Sequence, residues 1–324
     1  MWIALLGDVM LGRLVNDRLK AVRAEYPWGD TLSVLRKADV RIANLECVLA
    51  AGGEPAPGKT FHFRSDPTNV ESLRRAGIDL VSLANNHVLD FGPDAFREML
   101  PLLDAAGILH AGAGMDAEAA RRPAVLQATG TTIGFIAFTD NQPDWEADRN
   151  PGVYYVPVAY ADRRTTELLE LVRRTKSRTG LLIVSAHWGA NWGSALPSEH
   201  RALAHALVDA GADVVYGHSP HVFRGVELYR NRPLLYSAGD FVDDYAVDPV
   251  ERNDQSFIFL LDTDGATPGA LRLYPTSIGE FQVRLAGAAS PEIAHRMQRL
   301  SAQLGTPSNW REDEGCLEIA PDEE

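Results

Sequence analysis

The chain has 324 residues, 45 % apolar and 23 % charged, which suits one large α/β domain or two smaller ones in a globular protein. Its net charge of −13, from 31 basic and 44 acidic residues, argues against a nucleic-acid partner. Two cysteines, Cys47 and Cys316, make no disulfide framework and match no zinc spacing. No run of roughly 20 apolar residues is present to span a bilayer, so no membrane anchor is expected.

In chain order, the first element is a β-strand starting almost at Met1, in "MWIALLGDVMLGR". That stretch lacks the basic region and small-residue cleavage site of a signal peptide, so a cytoplasmic protein is expected. Further apolar, β-branched-rich runs follow: Val40–Glu46, Ile78–His87, Thr132–Asn141, Leu181–Gly189 and Ala212–His221. Between them lie amphipathic helical stretches such as "TNVESLRRAG", "PDAFREMLPLLDAAG", "RRTTELLELVRRTKS" and "PSEHRALAHALVDAG". Several end in Gly, as helices do at C′, and Pro67 and Pro93 stand where an N1 proline belongs. Strands alternating with helices predict βαβ units and a sheet covered on both faces. After His221 the pattern changes to strands joined by turns, then a helix around residues 291–304. A single domain of two packed sheets over 1–324 is the simplest architecture. The acidic stretch from about residue 306 reads as an exposed tail, in which "CLEI" could add an edge strand. The polar segment 139–152 reads as a functional loop.

The chemistry lies where the strands end. Asp8, Glu46, Asn86 with His87, Asp140 with Asn141, His187, and His218 with His221 all follow apolar runs. In α/β folds that edge is where ligands bind. A lone histidine at a strand end is usually structural, but agreement at so many ends is hard to ascribe to chance. A mixed carboxylate, amide and imidazole set suits Mn, Zn or Fe, and Ca where oxygens dominate.

"GDVMLGR", "ANLE", "SLANNHVLDFG", "HWG", "GHSPH" and "GDF", in that order from Leu6 to about Phe241, resemble the ordered signature of the CapA proteins. These are named for poly-γ-glutamate capsule synthesis and belong to the calcineurin-like metallophosphoesterase superfamily. The resemblance implies an α/β fold with two packed mixed sheets flanked by helices, a four-layer αββα sandwich. It implies that Asp8 binds metal, that Glu46 bridges two metals, and that Asn86, His187, His218 and His221 complete the sites. It makes His87 a general acid or electrostatic catalyst, which Asp90 would orient; Asn85 reads as a turn residue.

The chain departs from the superfamily pattern at Met10, where a histidine usually stands. One site then keeps Asp8, Glu46 and His221, and the other Glu46, Asn86, His187 and His218. One well-formed site for a divalent ion and a weak or empty second one are expected. "HWGANW" has Asn191 and Trp192 where family members often show Glu-Tyr. CapA proteins of capsule operons are typically membrane-anchored, so this chain resembles a soluble branch.

The carboxylate-rich "GDFVDDYAVDP" has two readings: an exposed acidic turn, or Asp240 or Asp243 closing the site beside His221 as acid/base partner or cation ligand. His62 and Arg64, with Lys59, either reach an anionic substrate group or lie in an exposed hairpin, Arg13 either holds an anion near the metal or pairs with a carboxylate, and Arg224 is a candidate for substrate binding. Asn141 also counts among the substrate contacts. Trp145, Trp188 and Trp192 could form an aromatic wall, although core packing is the default for tryptophan. His110, His200, His205 and His295 lie in regular patterns without partners and read as structural.

The expected function is a metal-dependent enzyme acting on a peptide or acidic polyglutamate-type polymer through His/Asp acid–base chemistry, His87, Asp90, His221 and Asp240 being its catalytic groups. The alternatives are a peptide epimerase inverting an α-carbon, a metal-dependent phosphoesterase, and a binding module with a structural metal.

Overall fold

A computed structural model describes residues 1–159 and 161–321. Four short parallel strands lie side by side in chain order: β1 (Trp2–Val9), β2 (Val40–Leu45), β3 (Leu80–Ser82) and β4 (Leu109–Ala111). The chain then builds a second sheet. There β5 (Ala124–Ala128) runs antiparallel to β6 (Thr131–Thr139), and β7 (Leu181–His187) and β8 (Val214–His218) add parallel strands. The hairpin of β9 (Val226–Tyr229) and β10 (Arg232–Leu235) closes that sheet.

The remainder returns to the first sheet. β11 (Asp240–Val242) runs parallel to the end of β1, and β12 (Gln255–Thr263) runs antiparallel along its body. β13 (Pro268–Gly279), β14 (Gln282–Leu285), β15 (Asn309–Arg311) and β16 (Cys316–Ile319) extend the antiparallel half. The acidic C-terminal stretch is therefore more than an exposed tail: β16 pairs with β13 and buries Cys316, Leu317 and Ile319.

Side-chain alternation along the strands sets the layers. Ile3, Leu5, Ile42 and Leu80 face Phe135, Ile183, Val214 and Tyr216 across one apolar cluster between the sheets. The intervening residues Ala4, Leu6 and Ala43 point the other way, into a cluster that includes Phe96 and Met99 of the helix Gly92–Ala105. On the far side, Ile136 and Val184 pack with Leu168 and Val172 of the helix Arg163–Lys176 and Leu203 and Leu207 of the helix Ser198–Asp209. The order is helix, sheet, sheet, helix.

Local signals place the helix ends. Asp162 caps Arg163–Lys176 by accepting from the Arg164 amide at 2.8 Å. Gly77, at φ 71°, ends Val70–Ala76 in the left-handed conformation that glycine adopts without steric cost. The run 78–87 shows where composition misleads: only Leu80–Ser82 is strand, and the polar residues after it form turns. Gly7 serves the site directly. A Cβ there would collide with the Gly239 carbonyl, so only glycine lets β1 approach the turn that leads into β11.

Candidate metal centre

That close approach puts Asp8 in register with Asp240 on one side and with Asn44 of β2 on the other. In the second sheet His187 and His218 end their strands in register. The strand ends of both sheets thus meet at one buried place. The ligand atoms of Asp8, His187 and His218 lie within 4.8 Å of one another, as do those of Asp8, His221 and Asp240. Two groups that could hold a metal therefore share Asp8.

Asn44, unremarked in the sequence, ties the first group together. Its Nδ2 donates to Asp8 Oδ1 at 2.8 Å and to Glu46 Oε2 at 3.0 Å, and lies 3.4 Å from His187 Nδ1. Its Oδ1 accepts from Asn85 Nδ2 at 3.0 Å, which fixes which end of the amide faces the carboxylates. Asn85 is accordingly more than a turn residue: fully buried, it also bonds the Leu45 carbonyl and accepts from the His87 amide. The available signal was register, because Asn44 lies two residues before Glu46 on the same strand face.

His187 Nδ1 lies 2.8 Å from His218 Nδ1, and His187 Nε2 lies 2.9 Å from Asn86 Oδ1. His218 Nε2 lies 2.6 Å from Ser185 Oγ. Glu46 falls outside both three-residue groups; its Oε1 sits 3.9 Å from His87 Nε2 and 4.0 Å from His187 Nε2. His221 Nδ1 is bonded to Asp240 Oδ1 at 2.8 Å. The expectation of a weak second site rested on Met10, which is fully buried in the apolar cluster. Asp240 supplies a ligand atom to the second group without it.

The electrostatics fit a cation. Asp8 Oδ2, Asp240 Oδ2 and Asp243 Oδ2 are buried with no hydrogen-bond partner among the described residues. Burial pushes the Asp8 carboxyl up to about 6, against the pull of His221, Asn44 and Glu46. Burial, and then neighbouring carboxylates, raise Glu46 and Asp243 well above the usual range. Asp240 is raised in the same way by burial, with Asp8 adding to the effect. The histidines move oppositely: burial lowers His218 to about 3, and lowers His187 and His221. Neutral imidazoles with closely packed carboxylates are what a borderline divalent ion binds, and its charge would offset the crowding of the acids.

His87 occupies one flank. Its Nδ1 lies 2.6 Å from Asp90 Oδ2, which also accepts from the Phe63 amide at 2.7 Å. Lys59 pairs with Asp90 Oδ1 at 2.6 Å, donates to the Asn86 carbonyl, and sets its ammonium over the Trp145 ring at 4.5 Å. Burial lowers His87 to about 4, against the pull of Asp90. A neutral ring whose Nδ1–H donates a hydrogen bond to Asp90 leaves Nε2 as an acceptor.

The proposed substrate residues divide. Arg13 stacks against Phe61, Phe63 and Tyr245, with its Nε 3.2 Å from Asp244 Oδ2. Asn141 bonds Ser219, next to His218, at 3.2 Å. His62 is turned to the Ala56 carbonyl and Phe91, and Arg64 lies over Phe91. Trp188 is a correction. Its ring is fully buried, stacks on His200 and donates to the Tyr236 carbonyl at 3.0 Å, so it belongs to the outer core. Arg224 is also buried, spending Nε and Nη2 on the Gly193 carbonyl. Trp192, exposed and edge-on to His221, remains at the mouth with Trp145. Three histidines read as unpartnered have partners: His110 with Asp104, His200 with Asp140, and His205 with Glu227.

Residues 2–245 match the family described as "Bacterial capsule synthesis protein PGA_cap". The chain belongs to this family. Among curated relatives of this PGA_cap chain, a "probable polyglutamine synthesis accessory protein" of Mycobacterium tuberculosis is 34 % identical, over 97 % of this chain and 87 % of the relative. The "PGA biosynthesis protein CapA" of Bacillus subtilis is 28 % identical over 74 % of the chain and 62 % of the relative. The "Capsule biosynthesis protein CapA" of Bacillus anthracis is 26 % identical over 75 % and 59 %. Among solved structures, a hypothetical protein from Thermus thermophilus superposes with a TM-score of 0.54 at 19 % identity, over 86 % of this chain and all of the other. That likeness concerns the fold. No helix among the described residues is long and apolar enough to cross a membrane.

Proposed function

We propose that this PGA_cap chain is a metal-dependent hydrolase that cleaves amide bonds in an acidic polyglutamate-type polymer. The relatives named for capsule and PGA biosynthesis support the substrate class. The observation that carries the chemistry is Asp8, shared between two His/Asp groups and buried with an unpartnered oxygen. Asp8, His187 and His218 would hold one divalent ion, and Asp8, His221 and Asp240 a second, with Glu46 and Asn86 beside the first. Ions there would supply Lewis-acid polarisation of the scissile carbonyl.

The chain's own residues do the rest. Asp90, pinned by Lys59 and the Phe63 amide, holds the His87 ring with Nε2 toward Glu46. Nε2 takes a proton from the attacking water and returns it to the leaving nitrogen, giving one new carboxylate and one new amine. Base catalysis of this kind is worth ~10²–10⁴-fold. His87→Ala should therefore lower kcat by about that factor with metal content unchanged.

The second group also favours an alternative, phosphoester hydrolysis, which uses two ions to hold the attacking and leaving oxygens. The deciding experiment measures metal by plasma mass spectrometry for wild type and Asp240→Ala. It then follows new amine ends from poly-γ-glutamate beside phosphate released from p-nitrophenyl phosphate. About two ions per chain, falling to about one in the variant, with amine release, supports the proposal. Phosphate release without amine release replaces it with the phosphoesterase. A chain that binds no ion overturns both.

A further inference from the structure

Arg13 has a backbone that few non-glycine residues adopt. Its φ is 51°, in the left-handed region, directly before the helical turns that follow. That conformation aims the side chain into a ring of aromatics, with the guanidinium carbon 5.0 Å from the Phe61 centroid, 5.1 Å from Phe63 and 5.9 Å from Tyr245. Two of those rings border the metal centre. Phe63 stands edge-on to His87 at 4.7 Å, and Tyr245 lies 4.8 Å from the His221 ring. One aromatic layer thus separates Arg13 from each imidazole.

The donors of this guanidinium are only partly used. Nε faces Asp244 Oδ2 at 3.2 Å, and that oxygen also takes the Leu14 amide. Nη1 is buried beneath the surrounding rings and has no hydrogen-bond partner among the described residues, so a ligand reaches it only once Phe61 is displaced. With Asp244 on the Nε side and rings around the group, the Nη1–Nη2 edge is left over. That edge is the fork that matches a carboxylate with two parallel bonds. The neighbouring cations differ. Lys59 is engaged by Asp90, the Asn86 carbonyl and Trp145, and Arg224, although its Nη1 is also unpartnered, is itself buried against the Gly193 carbonyl and makes no contact with the rings beside His87. The cover over Arg13 includes Phe61, which is 46 % exposed and lies in a stretch of chain with little regular structure.

We infer that Arg13 is the carboxylate-reading residue of this cleft, its free Nη1–Nη2 edge taking the side carboxylate of the residue next to the scissile bond. This rests on the polymer reading proposed above and makes it specific. Substrates would be selected by a planar anion one aromatic layer from the metal centre. An unmet charged donor in the ligand-free protein is costly, and the substrate carboxylate relieves it. The rings preserve the edge's orientation and exclude competing water.

The test is direct binding, measured by calorimetry on metal-loaded protein with His87→Ala in every sample, so that turnover does not intervene. The probes are γ-linked triglutamate, its methyl ester, and inorganic phosphate. The variants are Arg13→Lys, which keeps a charge for Asp244 but cannot offer the fork, and Arg13→Gln. Circular dichroism and thermal melting establish that each variant folds. The chain that keeps Arg13 should bind triglutamate about 10–100-fold more tightly than its ester, with that ratio falling toward one in both variants. Equal binding of acid and ester by the chain that keeps Arg13 overturns the inference. So does an unchanged ratio in folded Arg13→Lys. Phosphate binding that Arg13 controls, without triglutamate binding, replaces the carboxylate with a phosphoryl group and overturns the inference as stated. If triglutamate binds in an Arg13-dependent way but the chain with His87 intact cleaves no amide, the hydrolase reading fails and the carboxylate site stands.

Discussion

Asn44 shows how much one amide can govern. Its Nδ2 lies between Asp8 and Glu46, and its orientation is imposed by Asn85 rather than by either acid. Asn44→Asp keeps the size, removes the donor and adds a charge beside carboxylates already crowded by burial. An uncompensated buried charge is strongly destabilising, so the metal-free variant should lose about 3 kcal/mol or more in urea unfolding, recovered in part by added Mn. Equal unfolding midpoints would show that Asn44 does not organise the acids. The sequence displayed Asp8, Glu46, His187, His218 and His221 clearly, because a polar side chain after an apolar strand stands out. It hid Asn44, which sits inside a strand where alternation alone makes any residue look like core. It also overstated Trp188, since an aromatic after a catalytic-looking histidine can as readily turn into the outer helix layer, where His200 stacks on it.

At the scale of elements, the second sheet is locked to its helix by a buried acid. Glu227 of β9 accepts from Arg201 Nη2 at 2.7 Å and Tyr236 Oη at 2.6 Å, with His205 Nε2 at 3.1 Å. Burial alone would raise its pKa; the bonds from Arg201, Tyr236 and His205 outweigh that and hold it below the usual range. A carboxyl held low in the folded state adds stability that is present above its unfolded pKa and lost as pH falls through the folded one. Glu227→Gln should cost roughly 1–3 kcal/mol at pH 7, and the gap from wild type should narrow as pH drops below about 4. A gap independent of pH in denaturant titrations would remove the ionic part of this account. The C-terminal strands are a second test. Cutting the chain after Gly305 removes β15 and β16 and uncovers Leu271 and Leu273 on β13. Each buried apolar side chain lost is worth about 1.5–3 kcal/mol, so the shortened chain should melt lower and aggregate. Helices were legible from their periodicity and caps. The strand in 78–87 was overlong because a buried turn held by amides has the same apolar density as a strand.

For the whole molecule, charge and substrate pull apart. The net charge is −13, and a cleft of about 460 Å³ beside Trp145 and Leu89 is lined by Glu54, Asp144, Glu146 and Asp148. A polyanion approaching this surface is repelled at long range, and salt screens repulsion as it screens attraction. Raising ionic strength from about 0.01 to 0.15 M should therefore increase kcat/KM for poly-γ-glutamate severalfold, the reverse of a basic enzyme on the same polymer. A fall would point to cations steering the approach. The layer order followed from alternating strands and helices, but not the return of β11 to β1, since a three-residue strand carries no period of its own. That return has a consequence for synthesis. Asp8 is made long before its partner Asp240, which follows more than two hundred residues later. At about 5–20 residues per second, β1 waits many seconds for the strand that completes the second ligand group. A nascent chain stalled before residue 240 would hold at most the first group, so a full complement of ions would mark a chain on which β11 has already been made.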